Sequence, residues 1–215
     1  MYAMLDKAAA DGVGCIVATP HVTPGIEPFE REQYAFALER AREYCALRNL
    51  NMKIKSGAEI LYTEQTARFL VEKQIPTMAD TNLVLVEFFP DIRFENMEEA
   101  IRRLFANGYR VILAHIERYD CLVRNPARAV RLKEENDVLF QVNCSTIIEG
   151  KGFFVRRFIN QMLQQRLIDA VASDAHGLNV RIVRMKQAWR ILKYRCGAEY
   201  ARKLLCGGVL GEETV

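Results

Sequence analysis

Six short apolar runs, separated by helix-length stretches, constrain the fold of this 215-residue chain more than any other feature. They fall at residues 14–19, 52–56, 83–88, 110–114, 138–143 and 169–173, and most are rich in Val, Ile or Leu. Runs of that length read as strands. The stretches between them carry helical spacing. Residues 29–48 form one predicted helix, opened by acidic side chains, and residues 95–107 form another, stopped by Gly108. Pro126 suits the first turn of a helix reaching about Asn136. Regular alternation without a hairpin signal predicts an α/β fold with parallel strands, either a barrel or a doubly wound sheet. The reading counts six strands and about seven helices. It also places a helix at residues 2–11, before the first strand, whereas a barrel ordinarily opens with a strand.

Half of the residues are apolar, enough for one sizeable core, so residues 1–215 are expected to form a single domain with a frayed tail from about residue 207. Thirty Lys and Arg against 27 Asp and Glu leave a net charge of +3, which gives no electrostatic case for a nucleic-acid partner. No apolar run approaches the roughly 20 residues of a membrane span, and the N-terminus has no signal-peptide pattern. The six cysteines lack Cys-x-x-Cys spacing and read as reduced thiols, so a cytoplasmic protein is expected.

The ionisable residues are less evenly spread. The chain has three histidines. His21, His115 and His176 each lie at or just past the C-terminal end of an apolar run. In parallel α/β folds that rim is where active sites form. Glu59 follows the second run, Glu87 closes the third and Asp174 precedes His176. Taken singly, each has a plain structural reading: a hydrogen-bonded histidine, a helix cap, a salt-bridged glutamate. Taken together, three imidazoles and several carboxylates on one rim point to a metal site. Such a thiolate-free set suits Mn²⁺, Fe²⁺ or Zn²⁺. Ions of this kind act as Lewis acids toward phosphoryl oxygens and generate hydroxide near neutral pH. Arg118, three residues after His115, and Arg181, five after His176, are candidates to grip a phosphate, against the plain reading of surface or carboxylate-paired arginines. A Cys-x₅-Arg spacing from Cys196 to Arg202 matches cysteine-based phosphatases. Its intervening residues read as helix rather than as a glycine-rich phosphate loop, so it is taken as a chance match.

Five strings occur in order: Ala18-Thr19-Pro20-His21, Gly57-Ala58-Glu59-Ile60, Leu85-Val86-Glu87-Phe88, Ala114-His115-Ile116-Glu117-Arg118-Tyr119 and Ser173-Asp174-Ala175-His176. In this the chain resembles the PHP-domain tyrosine-protein phosphatases of the CpsB/CapC type, from bacterial capsule and exopolysaccharide systems. The resemblance implies a distorted, TIM-like β/α PHP barrel holding up to three divalent ions, commonly manganese. It implies hydrolysis of phosphotyrosine on a protein partner, typically a tyrosine autokinase. By position, His21, Glu59, His115, Asp174 and His176 would be metal ligands, Glu87 a ligand or close neighbour, and Arg118 a phosphate contact.

The family pattern also has an opening strand with a His-x-His pair. This sequence contains none, and Met1 matches the helix after that strand. The expectation is therefore an N-terminally truncated barrel missing its first strand, with an unpaired edge that invites association. Ile116 stands where the family usually has proline, and Val22 where it often has a polar residue. Two further readings follow: a catalytically inactive remnant, and a PHP phosphoesterase acting on a small substrate such as histidinol phosphate.

Overall fold

The computed structural model describes residues 1–207 and 210, so most of the tail expected to fray lies outside the described residues. Among the described residues eight strands are formed where six were expected: β1 (Cys15–Ala18), β2 (His21–Val22), β3 (Lys53–Ser56), β4 (Glu59–Leu61), β5 (Leu83–Glu87), β6 (Arg110–Leu113), β7 (Leu139–Asn143) and β8 (Ala170–Ala172). Each of the six apolar runs holds one strand. The two additional strands, β2 and β4, are short continuations beyond the first two runs. Every pairing is parallel, as the helical crossovers require.

The pairs form a two-stranded β1–β3 ladder and a six-stranded sheet ordered β2-β4-β5-β6-β7-β8. The two ladders are one surface with a break, because β1 runs into β2 and β3 into β4. At the break the Glu59 amide donates to the Pro20 carbonyl at 2.9 Å. The Tyr34 hydroxyl fills the remaining gap. It accepts from the Gly57 amide at 2.9 Å and faces the carbonyls of Ala18 and Gly57 at 2.8 and 2.9 Å. Gly57 is required there, since a Cβ would stand 2.7 Å from Val17 Cγ1.

Ten α-helices are described, against about seven expected: α1 (Tyr2–Ala10), α2 (Arg31–Leu47), α3 (Thr66–Val71), α4 (Phe94–Ala106), α5 (Asp120–Val123), α6 (Pro126–Asn136), α7 (Cys144–Glu149), α8 (Phe153–Gln164), α9 (Met185–Cys196) and α10 (Ala198–Leu205). The excess comes from α3, α5 and α7, which are too short for a 3.6-residue period to register.

The sheet curls into a half-barrel with helices outside. Alternation along the strands sorts its two faces. Val84, Val86, Val111, Leu113, Phe140 and Val142 face outward into the main core against the helices. Leu83, Leu85, Ile112 and Leu139 face inward, joined by Met78 and Val17. A third cluster packs α1 and α2 on the outer face of β3, through Leu5, Ala8, Leu38, Ala41 and Ile54. The segment after β8 crosses the open side to reach this cluster. Val183 is buried in it, and the Lys186 amide donates to Asp11 Oδ2 at 3.0 Å. Among the described residues, no strand lies between β8 and β1.

Two substitutions test this account by denaturant unfolding. Phe140→Ala empties a fully buried site and should cost about 3–5 kcal/mol. Tyr34→Phe strands the polar groups at the ladder break and should cost about 1–3 kcal/mol.

Candidate metal centre

The inward column of each strand is apolar low in the half-barrel and ionisable at the C-terminal mouth. Along β5 it reads Leu83, Leu85, Glu87, and along β7 Leu139, Gln141, Asn143. Register places His21 of β2 opposite Glu59 of β4. His115 follows β6, and Asp174 and His176 follow β8.

All six predicted ligands meet at this mouth. The tightest group is His21, Glu59 and Glu87, whose ligand atoms lie within 4.8 Å of one another. His115 Nε2 stands 2.8 Å from Glu59 Oε1 and 3.2 Å from Glu87 Oε2. His21 Nδ1 lies 3.1 Å from Glu87 Oε1, and His21 Nε2 lies 3.2 Å from His176 Nε2. Atoms bound about 2.0–2.2 Å from a shared ion sit about 2.8–3.6 Å from each other, so these separations match a set of donors facing a common cation. His115 Nδ1 is buried and has no hydrogen-bond partner, so the ring is held through Nε2. The residues present therefore fit a divalent metal.

Charge explains the local titration. Burial lowers the His115 pKa, but hydrogen bonds to Glu59 and Glu87 outweigh it and hold the ring up at about 9. Burial likewise raises Glu87, yet the His115 bond and the His21 ring bring its carboxyl below the usual range.

Both predicted arginines border the site. Arg118 Nη2 donates to Asp174 Oδ2 at 2.8 Å, and Arg181 Nη1 lies 3.6 Å from the same oxygen. Arg181 Nη1 also stands 3.1 Å from His176 Nε2. A guanidinium has no lone pair, so the imidazole nitrogen must be the acceptor there. His115, Asp174 and Arg181 all have positive φ, at 34, 48 and 49°. Non-glycine residues in that region carry strain, and these three border the mouth.

Several supporting residues escaped the sequence reading. Gln141 Oε1 accepts from the His115 amide at 2.6 Å and fixes its left-handed turn. Gln141 Nε2 donates to Asn143 Oδ1 at 2.8 Å, and Asn143 Nδ2 donates to Asp174 Oδ2 at 2.7 Å. Buried Glu117 accepts from the Asn143 amide and the Thr146 hydroxyl, and burial raises its carboxyl pKa. A signal existed: two amides at alternate positions of an otherwise apolar run mark one polar face. The Cys196–Arg202 spacing is indeed accidental. Cys196 ends α9 with Sγ donating to the Leu192 carbonyl at 3.1 Å, and burial pushes its thiol pKa up.

Comparison with known proteins agrees with this geometry. The family described as capsular polysaccharide synthesis, CpsB/CapC, matches residues 1–209. The tyrosine-protein phosphatase CpsB of Streptococcus pneumoniae is 31% identical over 207 residues, spanning 94% of this chain and 85% of that protein. The tyrosine-protein phosphatase YwqE of Bacillus subtilis (strain 168) is 26% identical, spanning 91% and 77%. A solved structure from work on YwqE and CpsB, described as unique metal-dependent tyrosine phosphatases, superimposes with a TM-score of 0.83 at 25% identity, over 93% of this chain and 81% of that one. Dihydropyrimidinase from Brevibacillus agri NCHU1002 matches at a TM-score of 0.55 and 12% identity, over 94% and 64% of the two chains, a likeness of fold alone.

Metal addition tests the centre without reference to turnover. At a Mn²⁺ concentration about a hundredfold above its Kd, the folded state should gain about 2.7 kcal/mol, read as a higher melting temperature. Glu59→Gln should abolish most of that increment while the metal-free protein still melts cooperatively. A melting temperature indifferent to metal and chelator would refute the assignment.

Proposed function

The chain belongs to the CpsB/CapC family, and from that premise we propose that it is a metal-dependent protein-tyrosine phosphatase that hydrolyses phosphotyrosine with activated water. The observation that carries this reading is the convergence of His21, Glu59 and Glu87 within 4.8 Å, flanked by His115 and His176. His21, Glu59, Glu87, His115, Asp174 and His176 are the proposed ligands, and Mn²⁺ is the proposed ion. Divalent ions held there supply Lewis acidity and a hydroxide source, so no covalent nucleophile is needed.

The chain's own groups do the positioning. Arg118 and Arg181 present guanidinium donors at the mouth, suited to the equatorial oxygens of a phosphoryl group. Arg118 is the proposed catalytic contact, because its bond to Asp174 holds it beside the ligands. Asn143, bonded to the same Asp174 oxygen, keeps that carboxylate from swinging with the arginine. Gln141 holds the backbone of His115, and the Glu59 and Glu87 carboxylates hold its ring. The preorganised donors oppose charge that builds on phosphorus oxygens as the bond to the tyrosyl oxygen breaks.

The family's description supports a role in capsule or exopolysaccharide synthesis. The proposed protein substrate is a bacterial tyrosine autokinase, the partner that the sequence resemblance implies, and the proposed setting is the cytoplasm. Among the described residues no helix is long and apolar enough to cross a membrane.

With Mn²⁺ the purified chain should hydrolyse p-nitrophenyl phosphate and a phosphotyrosyl peptide. Chelator or His176→Ala should abolish both activities. Arg118→Ala should lower kcat/KM by about 10²–10³-fold, the scale of losing one transition-state donor. Turnover that survives chelation sinks the mechanism. A clear preference for histidinol phosphate over the peptide would replace the substrate, and a metal-loaded but inert protein would favour the inactive remnant.

A further inference from the structure

We propose that the N-terminal turn of α8 is a docking surface for an anionic lipid bilayer, seating the mouth of the half-barrel against the membrane. Phe153 and Phe154 open this helix and are 73 and 66% exposed. Their rings touch each other edge to face, with centroids 5.6 Å apart. Two adjacent phenylalanines left in water are a standing free-energy cost unless something covers them.

The charge around them indicates what does. Lys151, Arg156 and Arg157 flank the pair and are all exposed. Among the described residues, none has a carboxylate within ion-pair distance. The nearest acid along the chain, Glu149, is bound to Arg184. Three unneutralised cations around two protruding rings complement phosphate headgroups above acyl chains, the pattern of interfacial membrane binding.

Shape favours a bilayer over a protein partner. The depression beside the rings is lined by Phe153, Arg156, Arg157, Asn160, Gln161 and Gln164, all from α8. It has no opposing wall to grip an inserted side chain, whereas a bilayer needs only a protruding apolar tip.

Position gives the surface meaning. α8 has 12 residues, about 18 Å of helix. It ends at the turn leading into β8, so its first turn lies at the other end of the strands, beside the ligand mouth. Its neighbours include the short 3₁₀ turn holding Arg118. Docking through Phe153 and Phe154 would turn the mouth toward the lipid surface.

Vesicle co-sedimentation of the full chain tests this. The chain should pellet with vesicles of phosphatidylcholine and phosphatidylglycerol, not with phosphatidylcholine alone, and should be released as salt rises. Phe153→Ala with Phe154→Ala, and separately Arg156→Glu with Arg157→Glu, should each weaken partitioning by at least about tenfold. Both variants should keep the parent's circular dichroism and p-nitrophenyl phosphate hydrolysis. If the phenylalanine variant fails to fold, the charge reversal carries the test, since both arginines are exposed. No pelleting, equal pelleting of parent and variants, or equal binding to neutral vesicles overturns the proposal. So would a protein complex lost in the phenylalanine variant when no vesicle binding is seen.

Discussion

Two carboxylates crowd one imidazole nitrogen at the mouth of the half-barrel, and the rest of the molecule is arranged to keep them there. Glu59 and Glu87 both lie within 3.2 Å of His115 Nε2. A single proton on that nitrogen cannot serve both, and like charges in a shielded site repel strongly. Positive charge must be drawn in. The raised pKa of the histidine is one answer to that demand, and a divalent ion is a fuller one. The apolar layer below, with Leu85, Ile112 and Leu139, holds the dielectric low, and the amides of Gln141 and Asn143 hold the surrounding groups in place.

Fold class was legible because each apolar run was long enough to show its character. All six became strands, and helices such as α6 started and stopped where proline and polar residues said they should. What could not be read were β2 and β4, of two and three residues, in segments with no period to detect. They exist through tertiary support: the Tyr34 hydroxyl bridges the break, and Gly57 permits a close approach. Those two strands carry His21 and Glu59, so the least legible elements hold two of the site's central groups.

The convergence of the candidate site was legible for a different reason. With only three histidines, each at or past the end of a run, parallel topology forced them to one rim. The supporting network was harder to see, because its members bond through geometry that emerges only on folding. Gln141 acts on a backbone amide 26 positions away, and Asn143 on a carboxylate 31 positions away. The same holds for the positive φ values of His115, Asp174 and Arg181, which nothing in those residue types announces.

The approach of His21 to His176 joins positions 155 residues apart, at opposite margins of the curled sheet. Among the described residues the outer sides of β1 and β8 share no ladder, so at the mouth these two rings span the gap between the margins. A cation gripped by both rings would be a clasp as well as a reagent. Without it, the segment after β8 still ties the margins together, through buried Val183 and the Lys186 amide bond to Asp11.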